Sequence, residues 1–117
     1  MTRHDEGARL RHMLDAAREA VGFARGKTRA DLHADRGLQL ILTRLLEIVG
    51  EAASRIPQEW RDQYPAIPWS AAVAIRNRLI HGYEDVDLDI VWQTVEEDLP
   101  RLIASLEKAG EIDQSPR

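Results

Sequence analysis

The segment LQLILTRLLEIVGEAASRI, residues 38–56, decides the fold because its apolar residues recur at helical spacing along its whole length. The stripe consists of Leu38, Ile41, Leu42, Leu45, Val49, Ala52, Ala53 and Ile56. Pro57 stops it, since proline does not continue a helix interior. An earlier stripe of the same kind consists of Leu10, Leu14, Ala17, Val21 and Ala24 and ends near Gly26. The two stripes predict two long amphipathic helices.

The region after this pair is divided by prolines and glycine. Three prolines lie in the segment from Pro57 to Pro68, which predicts a loop with at most one short helix. Pro68 fits the first turn of a helix, so the sequence predicts a helix over Trp69 to Ile80. Gly82 is well placed to end that helix, because glycine adopts the conformation common at helix C-termini.

A further helix is predicted from Asp87 onward, since an aspartate at this position caps free backbone N–H groups. Pro100 must kink or restart this helix. No segment shows the alternation typical of a strand. The sequence therefore predicts an all-α, four- to five-helix up-down bundle with a bent C-terminal helix. We expect one domain over residues 1–110 and a polar tail over residues 111–117.

Composition limits the class of protein. The 117 residues are 44% hydrophobic and 31% charged, which is typical of a globular domain. The chain has no cysteine, so disulfides and cysteine-based metal sites or nucleophiles are excluded. No apolar run is long enough to cross a bilayer and the first residues lack an apolar signal region, so we expect no membrane association and a cytoplasmic location. The net charge of −4 argues against broad nucleic-acid binding by bulk electrostatics.

The stretch RNRLIHGY, residues 76–83, is the clearest candidate functional site, because it is locally cationic and holds no acid. Arg76 and Arg78 offer planar forks of donors to phosphoryl oxygens, and His81 exchanges protons near neutral pH. Asn77 lies four residues before His81, so its amide shares a helix face with the imidazole and is able to fix its tautomer. On spacing alone, a solvated helix face with a C-terminal histidine cap explains the same residues.

Arg76 and His81 do not converge easily on one straight helix, because five residues turn them roughly 140° apart. Two arrangements resolve this. The helix unwinds at Gly82, or a second copy of the helix packs across a twofold axis and completes the site. The second arrangement also concentrates positive charge in one cleft.

Other polar residues carry weaker signals. His4, His12 and His33 lie too far apart for helical metal-ligand spacing, so we expect neither a metal site nor a cofactor. Glu47 and Glu51 share one face of the second helix. Ion pairing to the motif arginines, or plain solvation, accounts for these two carboxylates better than an acid–base site does.

The pattern Arg76, four residues, His81, one residue, Tyr83 resembles the signature of the HepT-like group of HEPN-domain proteins. The likeness extends along the chain from about residue 10 to residue 108. It includes LEIVGEAA at residues 46–53, IPWSAA at residues 67–72, DLDIVW at residues 87–92 and DLP at residues 98–100. The ordered set of segments is far more specific than the bare motif.

The resemblance implies a homodimeric helical bundle whose motif helices face each other across a cleft. It implies the toxin of a type VII toxin–antitoxin system, a metal-independent endoribonuclease that cleaves RNA. By the same resemblance Arg76 and His81 are the catalytic pair, with Asn77 and Arg78 supporting them. Tyr83 matches the tyrosine to which a cognate nucleotidyltransferase antitoxin, similar to MntA, adds AMP to silence the toxin. The RNA and this antitoxin are then the expected partners.

Two further readings stay open at this stage. The chain is alternatively a non-catalytic binding module, whose motif surface docks the nucleotidyltransferase. A purely structural helical dimer is the third reading. The motif does not separate the first two, because one Arg–His–Tyr surface serves both.

Overall fold

The computed structural model describes the backbone of residues 3–79 and 86–114 and the side chains of residues 7–79 and 86–110. The described elements are α1 Arg3–Ala24, α2 Arg29–Ala34, α3 Arg36–Ser54, α4 Gln58–Gln63, α5 Trp69–Leu79, α6 Leu88–Gln93, a π-helix Thr94–Asp98 and α7 Leu99–Gln114. No strand occurs within these ranges. The predicted all-α bundle is confirmed, and its four main helices are α1, α3, α5 and the continuous run from α6 through α7.

The two long predicted helices, α1 and α3, pack against each other and form the centre of the core. Their facing stripes include side chains that are fully buried, namely Met13, Ala17 and Ala20 of α1 and Leu42, Leu46 and Val49 of α3. The end of α1 lies where the sequence placed it, and Gly26 follows with a φ of 77°. This left-handed conformation is easily adopted by glycine but is strained for most other residues.

The short helix α2 was not predicted, because its six residues bury only Leu32. A capping box begins it: Asp31 N–H donates to Thr28 Oγ1 at 3.1 Å, and Thr28 N–H donates to Asp31 Oδ2 at 2.8 Å. Asp35 then caps α3 by accepting from Leu38 N–H at 3.0 Å. These caps satisfy backbone N–H groups that helix starts leave free.

The proline-rich segment contains the one short helix that the sequence allowed, α4. Arg61 of α4 donates to the carbonyl oxygens of Ile56 at 2.9 Å and Ala53 at 3.2 Å, so it caps the C-terminus of α3. The indole Nε1 of Trp69 donates to the carbonyl oxygen of Tyr64 at 3.1 Å. Because Trp69 is the first residue of α5, its hydrogen bond to Tyr64 fixes the start of α5 relative to the end of α4.

The last helical run passes through Pro100 after a π-helical turn. Proline has no N–H and clashes with the carbonyl of the residue four positions earlier, so a regular α-helix is disturbed there. The helix accommodates Pro100 by forming a π-helical turn over Thr94–Asp98. In this turn Leu99 N–H donates to the carbonyl oxygen of Thr94, five residues earlier. The predicted capping role of Asp87 is confirmed, since its side chain accepts from Asp89 N–H at 3.0 Å and Ile90 N–H at 3.1 Å.

Two of the three tryptophans are buried. Trp69 and Trp92 are each 9% exposed and belong to the hydrophobic core that the described residues form. Among the helices that the structure describes, none combines the length and the apolar character needed to cross a membrane.

Candidate active site

The predicted site begins in the last turns of α5. Arg76 is half-buried, whereas Asn77 and Arg78 are exposed. His81, the expected imidazole, and Tyr83, the expected modification target, lie outside the described residues. The described part of the site is therefore the arginine half and the elements that position it.

Gly50 of α3 makes the close approach that places Arg76. A methyl carbon added to Gly50 would lie 2.9 Å from Arg76 Cβ and 3.0 Å from the Arg76 backbone nitrogen. Real side chains essentially never come this near, so only glycine lets the backbone of α5 rest on α3 at this level. Ile75, 3% exposed, precedes Arg76 and anchors this part of α5 in the core.

Glu51, the residue after Gly50, pairs with the Arg76 guanidinium. Arg76 NH1 donates to Glu51 Oε2, and the two side chains are 41% and 45% exposed. The other carboxylate oxygen, Oε1, accepts from Arg55 Nε at 3.1 Å and lies 3.0 Å from Arg55 NH2. The Arg55 hydrogen bond, together with the charges of Arg76 and Arg55, holds the pKa of Glu51 below its ordinary value, against a smaller opposing effect of desolvation.

Arg78 points to a different acid. Its NH1 donates to Asp98 Oδ2 at 3.3 Å, and Asp98 is the last residue of the π-helix. Residues two apart on a helix face in different directions, so α5 meets a carboxylate of α3 on one side and one of the π-helix on the other. The cationic cluster of the sequence is thus partly neutralised in the fold by acids from remote segments.

The end of α5 is tied to the start of α6 by the backbone. Asp87 N–H donates to the carbonyl oxygen of Leu79 at 2.8 Å, which brings the two ends of the undescribed segment 80–85 together. Asp89 then pairs with His33 Nε2 at 3.0 Å and lies 3.6 Å from Arg29 NH1, so α6 is held to α2. Leu79 and Asp87, which flank this segment in the sequence, therefore lie in direct backbone contact.

The sequence matches one protein-family model over most of its length. The family model described as "Ribonuclease HepT-like" matches residues 13–109. The chain is also similar to the "Probable ribonuclease HepT" of Thermococcus cleftensis, with 40% identity over 99 residues that cover 85% of this chain and 90% of that protein.

This chain belongs to the HepT-like ribonuclease family.

Further HepT-like relatives come from Methanocaldococcus jannaschii. The "Putative RNase MJ1380" is 31% identical over 107 residues, which cover 92% of this chain and 98% of that protein. The "Gamma-glutamylcyclotransferase and putative RNase MJ0434" is 35% identical over 100 residues, but these cover only 45% of it. No solved structure gives a significant match.

The HepT-like match spans every element that positions the arginines, from the Gly50–Glu51 step to the π-helix. Two contributors were missed in the sequence. Gly50 carried a signal, since a glycine inside a long amphipathic stripe often marks close packing. Asp98 lies in the DLP segment that carries the family resemblance, but nothing in the sequence pairs it with Arg78. The pairing weighed for Glu51 with a motif arginine is confirmed, whereas Glu47 pairs with Arg44 at 3.3 Å.

Among the described residues, no group of three or more histidines, aspartates or glutamates is arranged to hold an ion.

Proposed function

We propose that this protein is a metal-independent endoribonuclease in which Arg76 and His81 are the catalytic pair. The observation that carries the proposal is the placement of Arg76. Its guanidinium stands half-exposed on α5, on a backbone seated against Gly50, and is held at one edge by Glu51. Family membership and the names of the relatives support the assignment to RNA cleavage.

The reaction uses a nucleophile that RNA itself supplies. The 2′-oxygen attacks the adjacent phosphorus while a base takes its proton. The bond from phosphorus to the 5′-oxygen breaks as an acid protonates that oxygen. The products are a 2′,3′-cyclic phosphate and a 5′-hydroxyl, and atoms and protons balance without a metal. His81 moves the protons, and the Arg76 guanidinium stabilises the charge that develops on the phosphoryl oxygens.

A homodimer is the assembly that serves this chemistry. One histidine per chain does not act as base and acid in the same step, whereas two copies of His81 facing each other across a twofold axis supply both. Each chain carries a net charge of −4, so a groove lined by two sets of motif arginines also provides a local positive potential that one chain lacks.

The proposal includes a biological role as the toxin of a type VII toxin–antitoxin system. A cognate nucleotidyltransferase antitoxin of the MntA kind adds AMP to Tyr83. The added phosphates place negative charge beside the motif arginines, so they repel RNA and occupy the cations that would bind it. We place the protein in the cytoplasm, where its RNA substrate and this partner are found.

The decisive experiment incubates the purified protein with total cellular RNA, with and without a chelator. The expected result is cleavage that persists in chelator, disappears in His81→Ala and is unchanged in His12→Ala, because His12 is exposed on α1 and remote in sequence from the motif. Expression of the wild type alone should arrest growth, and His81→Ala should relieve the arrest. An intact RNA pool with all three proteins would overturn the enzyme assignment in favour of a module that docks the nucleotidyltransferase.

A further inference from the structure

Glu51 does more than neutralise a surface arginine. Its two carboxylate oxygens serve different partners, Oε2 for Arg76 NH1 and Oε1 for Arg55 Nε. A carboxylate bound at both oxygens has its own orientation set, so it is able to orient a third group. Within the described residues, the Arg76 guanidinium donates to Glu51 alone, which leaves its Nε and NH2 donors for another acceptor.

The ion pair between Glu47 and Arg44, on the same face of α3, is an ordinary surface contact with which the Glu51 contacts can be compared. Glu47 lies one turn before Glu51 and, among the described residues, forms an ion pair only with Arg44, at 3.3 Å and three residues away on α3. Glu51, in contrast, joins α3 to α5 across 25 residues of sequence at the level of the Gly50 contact. The Gly50 contact sets the position of the α5 backbone at that level, where the Glu51 carboxylate pairs with the Arg76 side chain.

We propose that Glu51 is a positioning residue of the ribonuclease site, which holds one edge of the Arg76 guanidinium so that its remaining donors meet the scissile phosphate. This inference rests on the proposed function. The structure assigns Arg55 to the same unit, because it fixes the far oxygen of the Glu51 carboxylate.

The charge balance of this unit predicts an unusual kinetic signature. Arg55 and Arg76 contribute +2 and Glu51 contributes −1, so the unit carries +1, and replacement of Glu51 by glutamine raises it to +2. The added positive charge strengthens ground-state attraction for RNA, whereas the unheld guanidinium loses its orientation in the transition state. We expect kcat to fall about 10- to 100-fold, and KM to fall about 2- to 5-fold, as for an exposed charge interaction.

The experiment compares Glu51→Gln with Glu47→Gln on a defined RNA substrate. Both variants remove one negative charge from the same face of α3, but only the first touches Arg76. Glu51→Gln should lower kcat and KM together, Glu47→Gln should leave kcat unchanged, and Glu51→Asp should recover part of kcat. A variant that merely unfolded a fraction of the protein would lower the apparent kcat and leave KM at the wild-type value.

A second measurement keeps this inference separate from the proposed function. The Nε–Hε signal of Arg76 in an NMR spectrum, assigned by its loss in Arg76→Lys, should report a more mobile guanidinium in Glu51→Gln and an unchanged one in Glu47→Gln. Unchanged kcat in Glu51→Gln, with an inactive Arg76→Ala, overturns the positioning role and leaves the ribonuclease standing. An inactive wild type overturns the ribonuclease, and an unchanged Arg76 signal then also shows that Glu51 does not order Arg76.

Discussion

Gly50 and Arg76 lie backbone against backbone, with space for a hydrogen atom but not for a methyl group between them. The relationship joins α3 to α5 at the residue that we assign to catalysis. The absence of a side chain at Gly50 therefore helps to determine where Arg76 stands.

Gly50→Ala should therefore destabilise the protein. The new methyl group would lie 2.9 Å from Arg76 Cβ, so α5 must shift, and such overpacking costs about 1–3 kcal/mol. Chemical denaturation measures the loss. The matched control is Gly22→Ala in α1, where nothing lies within 4 Å of the added carbon. That variant should gain about 0.4–1 kcal/mol, because alanine restricts the unfolded chain more than glycine does. Equal stabilities for the two variants would contradict the close contact.

Arg76→Lys tests whether the guanidinium itself is needed. Lysine keeps the positive charge and is able to pair with Glu51, but it lacks the planar fork that reaches two phosphoryl oxygens at once. We expect kcat/KM for RNA cleavage to drop by about 10²–10³, as for the loss of one transition-state donor. Arg101→Lys is the control, since Arg101 is exposed on α7. Wild-type activity in Arg76→Lys would show that a positive charge at this position is sufficient and that the planar guanidinium is not needed.

The Glu51 pairings also predict a pH dependence of stability. Arg55 and Arg76 lower the pKa of Glu51 in the folded protein, so the folded state binds a proton at this site less readily than the unfolded state does. The contribution of Glu51 to the free energy of unfolding is present above the ordinary pKa of 4.5 and is lost as the pH falls through the lowered folded-state pKa. The stability difference between wild type and Glu51→Gln should be constant near neutral pH and should shrink in acid. A difference that is flat down to the acid limit would rule out this linkage.

Tyr83→Phe should escape silencing by the nucleotidyltransferase. Phenylalanine offers no hydroxyl for AMP transfer, so the variant should remain an active ribonuclease in the presence of the partner and ATP. Incorporation of labelled AMP and residual RNA cleavage are the two measurements. Tyr64→Phe serves as the control, because Tyr64 is only 9% exposed and lies outside the motif. Continued labelling of Tyr83→Phe would place the acceptor elsewhere.

Local signals explain which parts of the fold were predictable. The long apolar stripes located α1 and α3, Pro57 located the end of α3, and Asp87 located the start of α6. The helix α2 was not predicted, because it is stabilised by a capping box and buries one leucine, and a single buried residue does not give a periodic apolar pattern. The effect of Pro100 was foreseen, but its form, a π-helical turn rather than a restart, depends on how the neighbouring turns pack.

The amino-acid sequence by itself determined the main helices, the Asp87 cap and the identity of the motif residues, because periodicity and capping act over a few positions of the chain. Only the tertiary structure decided how the arginines are used. Arg76 meets Glu51 across 25 residues, and Arg78 meets Asp98 across 20. The sequence does not indicate which distant residue an exposed charge will pair with, because the attraction between exposed charges is weak and non-directional. For Arg76 the partner is set by the Gly50 contact, because the close approach of the two backbones brings Arg76 beside Glu51, the residue after Gly50.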